Sequence, residues 1–311
     1  MRTRPALVAT VVTSAVAALA LTGCTTASQE TGGSADPSSS ASSSTEGFDL
    51  SGITTDDALA SSVPEAVAKD GKLTIGSELT YAPVEFVAAD NKTPIGIDID
   101  IAGAVAKTLG LEADVQSSTF DAIIPAIGSK YEAGFSAFTI TPERLKTVNM
   151  ISYFSAGSQY AVAKGNPEDV DPANLCGLSV GVQTGTIQQD ELDAASKACT
   201  DAGKDAIDVL PYDSQAAVAT NLAGGKLQAM YADSPITAYA VQQSGGAIEP
   251  LGDVTDAAPY GVVVAKDDTK LAEAVQGALQ KLMDDGTIKA IADSWGSGDA
   301  ALDKAELNPA G

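Results

Sequence analysis

The chain has 311 residues, contains no histidine and carries a formal net charge of −23. The lack of histidine excludes Ser-His and Cys-His catalysis and removes the commonest ligand of metal ions, so we expect neither a metal site nor a cofactor. The negative charge argues against nucleic acid as a partner, because such binding depends on neutralising phosphates.

Residues 1–23 have the pattern of a secretory signal peptide. Two arginines in the first five residues are followed by an apolar stretch, Ala6–Leu21, that is too short for a spanning helix and ends in small residues. The tetrapeptide Leu21-Thr22-Gly23-Cys24 resembles a bacterial lipobox, which implies cleavage before Cys24 and lipid on its thiol. We therefore expect an extracytoplasmic protein on the outer face of the cell membrane, held only by acyl chains such as palmitate.

The composition predicts a lipidated, flexible tether at residues 24–70. Its first part, residues 25–47, is built almost entirely from Ser, Thr, Gly, Ala and a few polar residues. Such a stretch cannot bury enough apolar surface to offset the entropy lost on ordering, whereas residues 48–70 are transitional in composition. A folded body follows, and a polar tail at residues 297–311 ends the chain.

Short β-rich runs alternate with helical patterns along the body. In chain order we predict strands at 72–76 and 84–87, a helix at 99–109, a strand at 112–116, a helix at 120–127, a strand at 178–183, a helix at 186–198, a strand at 207–210, a helix at 214–222, a strand at 227–231, a helix at 235–243, a strand at 260–265, and helices at 271–283 and 287–295. This alternation predicts mainly parallel sheets with helices on both faces, in two α/β lobes. Because such sheets bind ligands beyond the carboxyl ends of their strands, the loops after strands are the candidate sites.

Arg144 is the only arginine after the leader, and every other basic residue there is one of 15 lysines. A guanidinium holds a carboxylate through two parallel hydrogen bonds, which an ammonium does not do. Thr141 is predicted to cap a helix with Pro142 at its first position, which places Arg144 in the first turn, where the helix dipole disfavours a cation. Two interpretations stay open on these residues: an anionic partner, or a solvated surface arginine.

Other loops carry weaker signals. Val180–Thr186 is a strand that runs into a glycine turn and a helix, which favours either an anion site or an ordinary strand-to-helix turn. Asp233 ends a strand, so it either caps the next helix or faces a cleft and accepts hydrogen bonds from an ammonium. Three further residues just after strands or at helix starts surround a ligand side chain or belong to the core: Glu78, Tyr81 and Phe120.

The mature body contains two cysteines, Cys176 and Cys199. In an exported protein an even pair predicts a disulfide, and two buried thiols are the alternative.

Taken in order, several segments resemble the polar amino-acid-binding family of solute-binding proteins that feed ABC importers, the bacterial extracellular solute-binding proteins of family 3. The family's threonine–arginine signature is matched within Ile140–Arg144. The matching segments are 73–86, 94–100, 120–126, 139–144, 180–186, 229–235 and 285–295. The resemblance implies an α/β, two-lobed periplasmic-binding-protein-like fold (type II) in which two hinge strands join the lobes, at residues 71–158 plus 262–296 and 159–261, with crossovers near 157–162 and 255–262.

The resemblance also implies the roles of individual residues. Arg144 would hold the α-carboxylate of an amino acid, helped by N–H groups near Thr139 and by Gly185, Thr186 and the N–H of Ile187. Asp233 would hold the α-ammonium. Tyr81 and Phe120 would flank the ligand's side chain, with Glu78 near its tip. The segment Ser136–Ala137 would also line the site, with Ala137 at the ammonium end. Three departures leave the ligand open: Ala137 and Ile187 stand where relatives often carry hydroxyls, and Glu132 replaces a frequent Asp.

The expected function is that of a lipid-anchored receptor, not an enzyme, that binds a small amino acid between its lobes. Its expected partners are the amino acid, the subunits of an ABC permease and, through lipid alone, the membrane; we expect a monomer. Alternatives within the same fold are a dehydratase of cyclic acids in which Glu78 acts as acid or base, or a receptor for an opine or a compatible solute.

Overall fold

The computed structural model describes residues 46–309. The predicted signal peptide, the lipidation site Cys24, the tether up to residue 45 and the last two residues of the tail lie outside the described residues. No helix within the described range combines the length and the apolar character needed to cross a bilayer.

The secondary structure alternates as the sequence predicts. The α-helices of the described part are α1 Asp57–Ala60, α2 Glu65–Ala68, α3 Ile97–Thr108, α4 Phe120–Ala126, α5 Arg144–Thr147, α6 Ile187–Asp201, α7 Gln215–Ala223, α8 Ser234–Gln243, α9 Thr269–Asp284 and α10 Thr287–Ser294, with a short 3-10 turn at Gly298–Ala300. The strands are β1 Lys72–Ser77, β2 Thr80–Tyr81, β3 Glu85–Val87, β4 Pro94–Ile95, β5 Glu112–Ser117, β6 Ala133–Gly134, β7 Val148–Ala163, β8 Ser179–Gln183, β9 Asp208–Tyr212, β10 Ala229–Asp233 and β11 Ile248–Ala265.

Eight strands form one sheet in the order β5-β1-β6-β11-β7-β10-β8-β9. Strand β1 is parallel to β5 and β6, and β8 is parallel to β9 and β10. The two parallel flanks belong to a first lobe (β5, β1 and β6) and a second lobe (β10, β8 and β9). Strands β2, β3 and β4 form a small antiparallel sheet of their own.

The long antiparallel strands β7 and β11 join the two flanks. Ala265 pairs with Val148 at one end and Ile248 with Ala163 at the other, and the register shifts between Leu251 and Ala258. The strand predicted from pattern at 260–265 covers only the end of β11, and no pattern predicts β7. The family resemblance, in contrast, implied two hinge strands that join the lobes, and β7 and β11 are those strands. Exposed residues in the middle of β11 interrupt the apolar pattern by which a strand is recognised.

Gly157 of β7 lies in close contact with the backbone of β11. A Cβ atom added there would lie 2.4 Å from the carbonyl oxygen of Thr255. The backbones therefore meet at a distance that only glycine permits, within the segment where β7 passes from one flank to the other.

The core follows the division into flanks. The largest cluster of buried side chains packs α3, α9 and α10 against β1, β7 and β11. On α9, Leu271, Val275, Leu279 and Leu282 recur every three or four residues and form one buried face. A separate cluster around Val180, Val182 and Leu192 lies under α6 in the second lobe.

Residues 48–70, which the composition assigns to the tether, lie against the first lobe. Phe48, Leu50 and Leu59 pack on the largest cluster, and Val63 and Val67 are buried in it. Helices α1 and α2 have four residues each, so no apolar periodicity is long enough to predict them. Their stability comes from packing rather than from intrinsic helix propensity.

The polar tail also contacts the body. Leu307 forms an isolated bridge with Ile151, and Ala301 forms another with Phe154. Ala305 is buried in the largest cluster. The tail thus extends over β7 in spite of its polar composition.

The predicted disulfide is present between Cys176 and Cys199, with a Cα–Cα distance of 5.6 Å. It joins the loop before β8 to α6 across a separation of 23 residues.

We expect the double substitution Cys176→Ser/Cys199→Ser to lower the free energy of unfolding by about 3 kcal/mol, because the cross-link restricts the unfolded chain. Urea denaturation monitored by circular dichroism measures the change. Treatment of the wild type with a reducing agent serves as the matched control and should give a similar loss. An unchanged midpoint in both experiments would show that the bond does not contribute to stability.

Candidate functional site

One small cavity lies between the two flanks of the sheet. The first lobe and its loops face the end of β8, the start of α6 and the end of β10 across it. Its volume is about 10 Å³, no more than a single water molecule needs. The lining residues are Tyr81, Phe120, Ala137, Thr139, Arg144, Gln183, Thr186, Ile187, Gln188 and Asp233.

Arg144 donates to backbone carbonyls on both sides of the cavity. Its Nη1 atom lies 2.8 Å from the carbonyl oxygen of Thr139, and Nη2 lies 3.2 Å from that of Gly185. The guanidinium carbon lies 5.4 Å from the centroid of the Phe120 ring and 5.8 Å from that of Phe138, within cation–π range. Arg144 is half-buried and bonded on both sides of the cavity, which favours the first of the two open interpretations, an anionic partner, over a solvated surface arginine.

The local structure around Arg144 agrees with the predicted cap in part: Thr141 accepts from the backbone as a cap does, but the helix begins at Arg144 and not at Pro142. The hydroxyl of Thr141 accepts a hydrogen bond from the N–H of Arg144 at 3.2 Å. Helix α5 is a single turn that starts at Arg144, so the guanidinium does sit at a helix start. Burial lowers the pKa of Arg144, and the negative charges of Asp233 and Asp190 oppose that shift.

Asp233 faces the cavity rather than its own helix. Helix α8 begins just after it, but the carboxylate accepts no capping hydrogen bond. Its Oδ2 atom accepts from the hydroxyls of Tyr81 at 2.9 Å and Tyr260 at 2.7 Å, and Oδ1 accepts from Nε2 of Gln188 at 2.7 Å. Burial raises the pKa of Asp233, and these three donors, together with the charge of Arg144, pull it back down.

The turn before α6 has a defined geometry. Thr186 caps the helix: its hydroxyl accepts from the N–H of Gln189 at 3.3 Å and donates to the carbonyl of Gln183 at 2.8 Å. Gly185 has a φ of 80°, and a Cβ atom there would lie 2.9 Å from the Cβ of Asp121. Its N–H donates to the side chain of Gln189, so that donor of the predicted anion site already has a partner.

Glu78 and Ser136 lie behind the cavity lining. The carboxylate of Glu78 accepts from the hydroxyl of Thr80 at 2.7 Å, and burial raises its pKa. The hydroxyl of Ser136 donates to Oε1 of Glu85 at 2.9 Å and accepts from the N–H of Glu78 at 3.0 Å. Like Gly185, these two residues contact the lining rather than the cavity.

Ala137 has a left-handed backbone, with a φ of 49°. Its N–H donates to Oδ2 of Asp98 at 2.8 Å, and Oδ1 of Asp98 accepts from the hydroxyl of Tyr153 at 2.6 Å. Burial raises the pKa of Asp98 to about 7, against the opposing effect of these two hydrogen bonds.

The sequence interpretation omits three residues of this site. Gln183 and Gln188 line the cavity, and the hydroxyl of Tyr260 reaches Asp233 from β11. The sequence could have pointed to the two glutamines, because Gln183 lies within the matching segment 180–186 and Gln188 lies two residues after it. For Tyr260 no sequence signal exists, since its contact with Asp233 depends on how β11 crosses the sheet.

A larger groove, of about 360 Å³, lies elsewhere, between helices α7 and α8 and β2. Its lining includes Ala216, Ala219, Ala240 and Ile248 and carries no charged side chain. It lacks the groups that recognise a charged solute, so the smaller cavity is the better candidate site.

A family model matches residues 73–298, and its description is bacterial extracellular solute-binding proteins, family 3. Among curated relatives, the arginine-binding protein ArgT of Corynebacterium glutamicum is 36% identical over 248 residues, which cover 79% of this chain and 81% of the relative. The L-cystine-binding protein TcyJ of Escherichia coli is 28% identical over 232 residues, which cover 74% of this chain and 84% of the relative.

Solved structures agree with the sequence relatives. An ancestral arginine-binding protein bound to arginine is 32% identical with a TM-score of 0.67, covering 72% of this chain and 98% of that one. The ancestral amino acid-binding protein AncCDT-1, a precursor of cyclohexadienyl dehydratase, is 30% identical with a TM-score of 0.65, covering 74% and 98%. These similarities confirm the predicted two-lobed α/β fold.

We expect the stability of the folded protein to fall as the pH rises from about 4 to 7, because folded Asp98 keeps a proton that the unfolded chain releases. The shift from 3.8 to about 7 corresponds to at most ~4 kcal/mol over that range. Urea denaturation between pH 4.5 and 8 measures it. Asp98→Asn, which does not titrate, should flatten the profile; an unaltered pH dependence in this variant would contradict the assignment.

Proposed function

The chain belongs to family 3 of the bacterial extracellular solute-binding proteins, and on that premise we propose that it captures a small amino acid between its lobes and delivers it to an ABC permease. One observation carries the proposal: Arg144 and Asp233, from opposite sides of the strands β7 and β11, line the same cavity. A guanidinium and a carboxylate held in one place match the two charged ends of an amino acid.

At the carboxylate end, the guanidinium of Arg144 would exchange its carbonyl partners for the two oxygens of the ligand. The carbonyls of Thr139 and Gly185 are neutral acceptors, so a carboxylate is the stronger partner. Helix α6 begins at Ile187, which also lines the cavity, so its first N–H groups would favour an anion at this end. The side chain of Ile187 adds no hydroxyl, so only its backbone would contribute.

At the ammonium end, Asp233 would accept from the ligand in place of one of its neutral donors. Tyr81, Tyr260 and Gln188 now supply all of its hydrogen bonds. An ammonium adds an opposite charge to that environment, which relieves the cost of burying the carboxylate. Ala137 offers no hydroxyl at this end, so the recognition would depend on Asp233.

Binding also requires movement. A cavity of about 10 Å³ does not admit an amino acid, so the lobes must separate before the ligand enters. The close contact of Gly157 with Thr255 and the register shifts of β11 lie in the segment where that bending would occur. Closure around the ligand would then exclude water and strengthen both charged contacts.

We propose that the ligand is a cationic amino acid, with arginine as the first candidate. Glu78, Glu85, Asp98 and Asp233 are buried near the cavity, and burial raises the pKa of each one. A second positive charge on the ligand would favour the ionised forms of these groups. The arginine-binding name of a 36% identical relative supports this choice, whereas the cystine-binding relative keeps a neutral amino acid as the competing outcome.

We also propose that the protein lies on the outer face of the cell membrane. The lipobox ending at Cys24 would attach the protein to the outer face of the membrane, and the tether would leave the body free to meet the permease. Because the packed segment starts near Phe48, the tether would end near residue 47. We propose a monomer, with no partner beyond the ligand and the permease.

An enzyme on the same fold is the second candidate, because AncCDT-1 is a precursor of a dehydratase. In that case Glu78 would act as the acid or base, and its raised pKa suits such a role. Against it, the carboxylate of Glu78 is bonded to Thr80 and does not line the cavity. Recovery of unchanged ligand after prolonged incubation favours the receptor; turnover of a prephenate-like acid favours the enzyme.

We expect Arg144→Ala to weaken amino-acid binding by two to three orders of magnitude, since breaking one side of a buried charged contact costs roughly 3–5 kcal/mol. Isothermal titration calorimetry on the soluble body measures the change. Lys146→Ala, which removes an exposed charge two residues away, is the matched control and should retain wild-type affinity. Equal affinities for the wild type and Arg144→Ala would refute the role of the guanidinium.

Mass spectrometry of small molecules released by denaturing the freshly purified protein identifies the ligand directly. We expect a basic amino acid, and a thermal-shift screen of the twenty amino acids should rank arginine first, because ligand binding raises the melting temperature. If a neutral amino acid stabilises the protein most, the proposed preference for a cationic ligand is wrong, but the proposed receptor function stands. Stabilisation by none of the twenty would count against the amino-acid site.

A further inference from the structure

The segment Pro94–Asp100 matches the family in sequence but contributes no side chain to the cavity. Its two acidic residues, Asp98 and Asp100, lie in the first turn of α3. Helix α3 starts at Ile97, and the residue before it, Gly96, supplies no side-chain cap. Both carboxylates are nevertheless buried, so each needs hydrogen-bond donors that offset the cost of taking it out of water.

Asp98 is bonded on both oxygens. Its Oδ2 accepts from the N–H of Ala137 at 2.8 Å, and Oδ1 accepts from the hydroxyl of Tyr153 at 2.6 Å. Ala137 is the residue of the cavity lining whose φ is positive, at 49°. An L-residue with a side chain adopts that conformation only at a cost in free energy, so the surroundings must hold it there.

The conformation of Ala137 sets the direction of the backbone that follows it. Thr139, two residues on, lines the cavity, and its carbonyl accepts from Nη1 of Arg144. Ser136, on the other side, is fixed by its bonds to Glu85 and Glu78. Between these points, the hydrogen bond that the N–H of Ala137 donates to Asp98 is the side-chain contact that holds Ala137 itself.

We propose that Asp98 is a positioning residue of the ligand site: it holds Ala137 in the left-handed conformation and so directs the 137–139 backbone and Arg144 toward the ligand. This inference rests on the proposed function, because it assigns Asp98 a role in an affinity for an amino acid. It goes beyond that function, since Asp98 does not line the cavity and would never touch the ligand.

The second bond of Asp98 extends toward the other end of the site. Tyr153 belongs to β7, and its ring centroid lies 6.4 Å from that of Tyr260 on β11. The hydroxyl of Tyr260 donates to Asp233. Asp98 is thereby joined through two packed rings of the long strands to the carboxylate that would hold the ammonium.

A purely structural role predicts a different outcome, and Asp100 provides the matched control. It lies two residues from Asp98 on the same helix and is also buried. Its Oδ2 accepts from the N–H of Phe48 at 2.9 Å and from Nε1 of Trp295 at 2.8 Å, away from the cavity lining. Loss of either carboxylate should lower the melting temperature, but only loss of Asp98 should alter the ligand site.

The first experiment compares Asp98→Ala, Asp98→Asn and Asp100→Ala by calorimetry with arginine and with the best ligand of the amino-acid screen, at a temperature where all are folded. We expect Asp98→Ala to weaken binding about tenfold or more. Asp98→Asn keeps an oxygen for the N–H of Ala137 and should stay within about threefold of the wild type. Asp100→Ala should stay within about twofold. Equal losses of affinity in the two alanine variants would overturn the proposal.

The second experiment changes the residue that Asp98 holds. Glycine adopts a positive φ without the cost that alanine meets, so Ala137→Gly should recover at least threefold of the affinity lost in Asp98→Ala. The same change in the wild-type background should not improve binding. If Ala137→Gly leaves the Asp98→Ala deficit unchanged, Asp98 does not act through the conformation of Ala137, and the proposal fails.

A third measurement separates this inference from the proposed function. Amide hydrogen exchange at Ala137 needs no ligand, and its protection should fall in Asp98→Ala but persist in Asp100→Ala. If protection changes in this way and no amino acid binds the wild type, the contact is real but the proposed function, and with it the role in affinity, is wrong. If the wild type binds and protection is the same in both alanine variants, the positioning role alone is wrong.

Discussion

The burial of two opposite charges at one place, Asp233 fully and Arg144 in part, is the constraint on which this site depends. A charge removed from water must meet hydrogen bonds or an opposite charge, because an uncompensated one costs several kcal/mol. Here the guanidinium donates to two backbone carbonyls and the carboxylate accepts from two tyrosines and a glutamine, all neutral. Each group is thus satisfied but not neutralised. A solute that carries both opposite charges offers each of them a stronger partner than it now has.

The long strands β7 and β11 are part of this arrangement rather than mere connections. Tyr260 of β11 reaches Asp233, and Tyr153 of β7 reaches Asp98 behind the cavity. The same strands are in close contact where Gly157 approaches Thr255, beside the register shifts of β11. Movement at that point would change the distance between the flanks of the sheet. It would also shift the two tyrosines whose hydroxyls donate to buried carboxylates. Ligand contacts and lobe movement would therefore be coupled through these two strands.

The fold was predictable wherever a pattern repeats along the chain. Helix α3 was expected at 99–109 and α9 at 271–283, each within about two residues of its ends, because their apolar faces recur at helical spacing. No apolar pattern predicted strand β7 or the exposed middle of β11, because their pairing joins residues some hundred positions apart; only the family resemblance implied two hinge strands. The short helices of residues 48–70 were also not predicted, because their stability depends on packing against the first lobe rather than on a pattern in their own sequence.

The sequence by itself determined which kinds of group the site holds: a single arginine after the predicted leader, at a helix start, an aspartate after a strand, and a glycine turn before a helix. Only the tertiary structure decided which of them meet. It joins Tyr81 to Asp233 across 152 positions, adds Gln188, and moves Glu78 and Ser136 behind the lining. The physical reason is that local patterns fix the backbone of each segment, whereas a side chain's partner depends on how distant segments pack.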